Sequence, residues 1–136
     1  VHRNANSLIE LANKPEQERV VFGEYHALNS ANGSFLLRDN RYKLIYHVNQ
    51  DPQLFDLNKD PNEINDLSQI FEYKAVLDSM IKKLREICDP EEVDRRAKAD
   101  QKAIVEKHGG REAILKRGFF ENSPVPGEKP AFRAPS

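Results

Sequence analysis

Residues 41–67, RYKLIYHVNQDPQLFDLNKDPNEINDL, decide the fold of this chain. Apolar and polar residues alternate over residues 41–48, which predicts a β-strand. A turn and a second, short strand at 54–57 follow, and Asp60-Pro61 predicts another turn. Helical signals begin at about residue 63, with Asp66 as a candidate cap. An antiparallel hairpin therefore stands directly before the helical part of the chain.

The segment before this stretch extends the same sheet towards the amino terminus. Residues 19–27 (RVVFGEYHA) and 34–38 (SFLLR) are rich in β-formers. Asp39-Asn40 separates the second of these from residues 41–48, and both side chains tolerate a left-handed backbone, so we expect a two-residue turn there. The prediction is a meander of three or four antiparallel strands within residues 19–57.

The two faces of this sheet differ in polarity. On the strand at 41–48, one face carries Tyr42, Leu44 and Tyr46. The other face carries Lys43, Ile45 and His47. The mixed second face indicates partial cover by another element. On the first strand, the expected buried residues are Val20, Phe22 and Tyr25.

Helices dominate the chain after the sheet. Apolar residues recur at three-and-four spacing from Tyr73 to Cys88, which predicts an amphipathic helix packed on the sheet. Asp89-Pro90 begins a charged, mostly exposed helix that ends at Gly109-Gly110, and a short helix follows up to Gly118. The expected fold class is α+β. Its first domain is residues 1–118 (sheet 19–57, helices 66–118), and residues 119–136 form an extended arm with four prolines.

Composition excludes several classes of partner. The 136 residues contain 21 Lys and Arg against 22 Asp and Glu, a formal net charge of −1, so no field draws in nucleic acid or an anionic membrane. No apolar run approaches the roughly 20 residues that span a bilayer. We therefore expect a soluble protein. The chain begins with Val1 and shows no signal peptide, which favours a trimmed fragment.

Neither a metal site nor a nucleophile is predicted in this chain. The histidines form no HxH or HxxxH pair, and no acidic cluster has metal-ligand spacing. Cys88 stands four residues before Glu92. If Cys88 were a nucleophile, the nearby Glu92 carboxylate would repel an anionic substrate. We therefore interpret Cys88 as a core thiol before a helix cap. The one constellation with functional promise is Glu24-Tyr25-His26, which ends a strand and enters an Asn- and Gly-containing loop.

Six short segments together resemble the carboxy-terminal subdomain of type I sulfatases. They lie in the same order along the chain: VVFGEYH at 20–26, FLLR at 35–38, RYKLI at 41–45, LFDL at 54–57, DPNE at 60–63 and DL at 66–67. The likeness covers residues 7–128 and is nearest to choline-sulfatase-like bacterial enzymes. Those enzymes carry their nucleophile in Cys-x-Pro-x-Arg, which Cys88 and Glu92 do not complete.

The resemblance implies a role beside a larger catalytic domain of the alkaline phosphatase superfamily. Such enzymes hydrolyse sulfate esters with a formylglycine nucleophile and calcium, both expected outside this chain. Glu24, His26 and Asn29 are then predicted substrate-side residues, and no residue here is predicted to be catalytic. The predicted partners are an amino-terminal sulfatase domain and, through the arm, further copies of the chain. The sequence leaves the compartment undecided between a bacterial cytoplasm and a periplasm.

Two other functions stay open at this point. The same segment occurs in phosphonate and phosphate monoester hydrolases of the superfamily, and only the nucleophile motif upstream would separate them from sulfatases. A free-standing interaction module, in which the helices and the arm bind a protein partner, is the alternative from another class.

Overall fold

The computed structural model describes residues 19–26, 30–120 and 132–133. The chain divides into two compact units, residues 1–90 and residues 91–136. Each unit is described by itself below. A helical turn predicted at residues 7–13 lies outside the described residues.

The first unit contains a four-stranded antiparallel sheet. Its strands are β1 (Val21–Tyr25), β2 (Ser34–Arg38), β3 (Tyr42–His47) and β4 (Gln53–Asp56), arranged in the order β1-β2-β3-β4. Each strand pairs with the next along the chain, so every connection is short. The predicted α+β fold with a small antiparallel meander is confirmed.

The turn between β2 and β3 differs from the predicted one. Neither Asp39 nor Asn40 has a positive φ. The Asp39 carboxylate instead accepts hydrogen bonds from the backbone amides of Arg41 (2.9 Å) and Tyr42 (2.7 Å). This Asx-type arrangement satisfies the turn without left-handed residues. It also centres the turn on residues 40–41, so Arg38 pairs with Lys43.

The core lies on the sheet face that the first helix covers. Helix α1 (Lys74–Ile87) packs against β3. The fully buried apolar side chains of the sheet and helix are Phe35, Leu37, Leu44, Leu54, Met80 and Leu84. The amphipathic helix predicted from the three-and-four spacing is therefore confirmed. Cys88, at the end of this helix, is half-buried rather than a core residue.

Two residues expected in the core are exposed instead. Val20 and Tyr25 are 46% and 51% exposed. Val20 precedes β1, which is an edge strand of the sheet with β2 as its neighbour. Tyr25 stands opposite Ser34, on the face away from the α1-covered core. The alternation of the strand therefore turns Tyr25 away from the core, whereas Val20 lies just beyond the end of the edge strand, and of the three only Phe22 keeps an inward position.

The helix begins later than the sequence predicted. Residues 57–70 form turns, a 3-10 turn spans Phe71–Tyr73, and α1 begins at Lys74. Asp66 does not cap a helix, because its carboxylate accepts hydrogen bonds from the amides of Leu54 (3.0 Å) and Ser68 (2.9 Å). A carboxylate that bonds backbone amides in this way stabilises a turn in place of the first turn of a helix.

The second unit is mainly helical. Helix α2 (Pro90–Lys107) begins with a proline, as predicted, and helix α3 (Gly110–Arg117) follows after Gly109, whose φ is +90°. Two ends of the predicted arm pair with each other as β5 (Phe119–Phe120) and β6 (Phe132–Arg133). The described residues of the arm are therefore extended and paired in antiparallel fashion. None of its prolines falls in either strand, because proline cannot donate to the ladder.

Candidate functional site

The candidate site lies at the end of the sheet where β1 ends, β2 begins and β3 ends. Glu24 stands opposite Phe35 of β2, and Phe35 stands opposite Tyr46 of β3. His26 follows β1 directly. The structure thus brings two of the three predicted residues together, and the third, Asn29, lies outside the described residues.

Glu24 and His26 form a loose pair on one side of this sheet end. The Glu24 Oε2 and His26 Nε2 atoms are 4.0 Å apart, with the Glu24 side chain 48% exposed and the His26 side chain 18% exposed. The His26 ring meets the edge of the buried Phe35 ring at a centroid distance of 5.4 Å. Packing on Phe35 holds the imidazole in place, while the carboxylate stays open to a ligand.

A second polar pair occupies the opposite face of the same sheet end. Ser34 Oγ and His47 Nδ1 form a 2.8 Å hydrogen bond across β2 and β3. Tyr25 lies in register with Ser34 on β1. The sequence reasoning missed this pair, because a turn centred on residues 39–40 would place Ser34 opposite Ile45. The turn-capping carboxylate of Asp39 was the signal that could have corrected the register.

The other end of the sheet carries structural ion pairs. The buried Asp56 carboxylate accepts hydrogen bonds from Arg41 Nη2 (2.7 Å) and Nε (3.1 Å). These hydrogen bonds hold the pKa of Asp56 below its usual range, although burial acts the other way. Asp56 ends β4 and Arg41 lies in the β2–β3 turn, so this ion pair holds the edge strand β4 to the turn.

Lys83 ties helix α1 to the same turn. Its Nζ atom donates to Asp39 Oδ2 at 3.1 Å. Burial raises the pKa of Asp39, but hydrogen bonds from the amides of Tyr42 and Arg41 and from Lys83 outweigh it, so the pKa is lowered. This carboxylate is already saturated with donors, and its role is to hold the hairpin and the helix together.

The described residues do not assemble a catalytic centre of the kind that the resemblance implies. Within residues 19–26, 30–120 and 132–133, no three His, Cys, Asp or Glu side chains are grouped so as to hold a metal ion. Glu92, which stands where an arginine would complete a formylglycine motif, forms a two-pronged pair with Arg95. The role of Glu24 and His26 at the sheet end as substrate-side residues stays a prediction.

A family profile described as "N-sulphoglucosamine sulphohydrolase, C-terminal" matches residues 4–90. The chain belongs to this family. The predicted likeness to the carboxy-terminal subdomain of sulfatases is thereby confirmed, whereas the nearer likeness to choline sulfatases stays a prediction. The match ends where the first compact unit ends, so the sheet and α1 are the part of this chain that the sulfatase family defines.

Solved structures share the fold of this sulfatase segment. A candidate sulfatase from Bacteroides thetaiotaomicron VPI-5482 aligns with 72% of this chain and 21% of its own, with a TM-score of 0.52 and 22% identity. The 2-O GAG sulfatase BT1596 aligns over the same shares, with a TM-score of 0.50 and 22% identity. At this identity the likeness concerns the fold. The chain spans about a fifth of the length of these structures.

Two further observations concern curated relatives and membrane-spanning helices. Among curated proteins, none matches the chain significantly. In the part of the chain that the structure describes, no helix is both long enough and apolar enough to cross a bilayer.

Proposed function

We propose that this chain is the carboxy-terminal part of a sulfuric ester hydrolase and that it completes the substrate side of the cleft. The observation that carries the proposal is the match of residues 4–90 to the carboxy-terminal family of a sulphohydrolase. The short span relative to the solved sulfatases supports a larger catalytic domain as the partner. The chain would shape and support that domain without catalysing the reaction alone.

The reacting groups are proposed to belong to that larger domain. A formylglycine needs an oxidised cysteine beside an arginine, and the only cysteine here, Cys88, is followed by Glu92 in the arginine position. A carboxylate at that position would repel the sulfate ester. Calcium prefers six to eight oxygen ligands, and the described residues offer no such group. No step of the reaction is therefore assigned to residues of this chain.

Glu24 and His26 are the residues proposed to contact substrate. The Glu24 carboxylate is open to solvent, so it suits a hydroxyl or ammonium group of the substrate and not the sulfate itself. His26 is held by Phe35 with both ring nitrogens shielded from solvent, and these nitrogens are proposed to donate or accept a hydrogen bond once a substrate group reaches the sheet end. Asn29 is proposed to join them, by its place three residues after His26.

The test uses the full polypeptide that contains this chain, with a fluorogenic aryl sulfate for turnover and a sulfated amino sugar, which carries hydroxyl and ammonium groups, for KM. We expect metal-dependent turnover by the full protein and none by the isolated 136 residues. Glu24→Gln and His26→Gln should each raise KM several-fold, on the order of the 1–2 kcal/mol of one lost polar contact, with kcat nearly unchanged.

Glu86→Gln is the matched control, because Glu86 is an exposed acid on helix α1 of the same unit, outside the strands of the sheet end. Unchanged KM in both test variants would refute the substrate-side role. Turnover by the isolated chain would refute the proposal that the catalytic centre lies in the larger domain. Faster cleavage of the aryl phosphate than of the aryl sulfate would replace the sulfatase with the phosphate monoester hydrolase.

We also propose that the arm, residues 119–136, supports assembly of the protein. The pairing of β5 with β6 gives this arm a defined end that a neighbouring subunit could contact. The full protein should be an oligomer by light scattering, and removal of the arm after Gly118 should lower its mass to that of a monomer. An unchanged mass would contradict this role.

A further inference from the structure

The segment before helix α1 exposes large apolar side chains on a fixed backbone. Phe71 is 85% exposed, Ile64 is 77% exposed and Ile70 is 41% exposed. We refer to these three residues as the 64–71 surface. Single exposed apolar residues are common on proteins, but three within eight positions of one tethered segment are characteristic of a contact surface.

Four hydrogen bonds hold the backbone of this segment, and two of them run to Leu54 of β4. The Asp60 carboxylate accepts from the amide of Asn65 at 2.7 Å, and the Asp66 carboxylate accepts from the amides of Leu54 and Ser68. The amide of Leu67 donates to the carbonyl of Leu54 at 2.8 Å. These bonds join the segment to β4, so its apolar side chains are not exposed by fraying.

Glu63 has an unusual backbone conformation. Its φ is +56°, in the left-handed region that residues other than glycine rarely adopt. Its carboxylate pairs with Lys43 of β3, and this ion pair holds the residue in that conformation. A backbone held against its own preference directly before Ile64 indicates that the position of the 64–71 surface matters.

We propose that the 64–71 surface docks against the larger domain of the same polypeptide, an inference that rests on the proposed function. The solved sulfatases of this fold are about five times as long as the aligned segment, since it covers 21% of each, so most of such a protein lies outside this chain. An aromatic ring on a pre-formed turn is the kind of anchor that fills a pocket at little entropic cost.

The test compares the accessibility of position 71 in two forms of the protein. Phe71→Cys is made both in the 136-residue chain and in the full polypeptide, and N-ethylmaleimide labelling is followed by peptide-resolved mass spectrometry. We expect labelling at position 71 to be at least about tenfold slower in the full polypeptide. Ile104→Cys, which replaces a 57% exposed residue of α2, is the control and should keep the same rate in both forms.

Hydrogen exchange of the unsubstituted protein keeps the inference testable if Phe71→Cys weakens docking. Amides of residues 64–73 should exchange more slowly in the full polypeptide than in the isolated chain. Equal exchange and equal labelling in both forms would overturn the inference. So would labelling of the isolated chain that slows with its concentration, since the occupant would then be a second copy. Protection in a full polypeptide that cleaves no sulfate ester would refute the proposed function and leave the docking intact.

Discussion

The two compact units of this chain are stabilised in different ways. The first unit, residues 1–90, contains every fully buried apolar residue of the described chain, from Phe35 in β2 to Leu84 in α1. The second unit, residues 91–136, has no buried apolar residue among its described positions, and its longest helix carries pairs such as Glu92–Arg95 and Asp94–Lys98. One unit has a packed core, and the other is a charged helical extension.

The family match follows the same division. It ends at residue 90, where the packed unit ends. A packed sheet and helix can keep a fixed shape, and a fixed shape is what positions Glu24 and His26 at the sheet end. A solvated helix accepts many substitutions at small cost. The contrast teaches that the functional inference depends on the first unit, whereas the second unit tolerates more change.

The largest difference between the units should appear on removal of an apolar side chain. Leu44 of β3 is fully buried, so Leu44→Ala removes its contacts and leaves a cavity, at a cost of about 2–5 kcal/mol in unfolding free energy. Ile104 of α2 is 57% exposed, so Ile104→Ala should change the same quantity by less than about 0.5 kcal/mol. Urea unfolding followed by circular dichroism measures both.

Equal losses of unfolding free energy in the two variants would contradict this difference between the units. A loss for Ile104→Ala as large as that for Leu44→Ala would mean that α2 buries Ile104 against another surface in solution. Two separate unfolding transitions, of which Leu44→Ala shifts only one, would sharpen the comparison, because each unit would then unfold independently.

The sequence predicted those parts of the fold that depend on periodicity. Alternation over β2 and β3 and the three-and-four spacing of α1 are repeated signals, so the meander and its packing helix were predicted correctly. The exposure of Val20 and Tyr25 was not predicted, because Val20 lies just before the edge strand and Tyr25 falls on the face away from the core, and the residues of this strand mark neither its boundary nor its buried face.

Features set by single side chains were harder to predict. Asp66 had the residue type of a helix cap, yet it bonds Leu54 of a preceding strand, a contact between residues distant in sequence. The one-residue shift of the β2–β3 turn, which changes each cross-strand partner by two residues, likewise depends on one carboxylate, that of Asp39. This shift decides that Ser34 meets His47, so the partners at the candidate site could not be read from strand patterns alone.

A smaller difference should separate two arginine–carboxylate pairs of similar geometry. The Asp56 side chain is 1% exposed and paired with Arg41, and that of Glu92 is 44% exposed and paired with Arg95. Asp56→Asn should lower the unfolding free energy at pH 7 by about 1 kcal/mol, since half-exposed Arg41 lets solvent screen the pair. Glu92→Gln should cost at most about 0.5 kcal/mol. Denaturant titration measures both.

The pH dependence of these two variants gives the sharper test. Since pairing lowers the pKa of Asp56 in the folded protein, its contribution is complete above the ordinary aspartate pKa of about 3.9 and is lost as the pH falls below it. The stability gap between the original protein and Asp56→Asn should therefore close on acidification below about pH 4. A gap that does not narrow at all as the pH falls below about 3.9 would show that asparagine disturbs packing, because the charge contribution of Asp56 must shrink once the unfolded carboxyl is protonated.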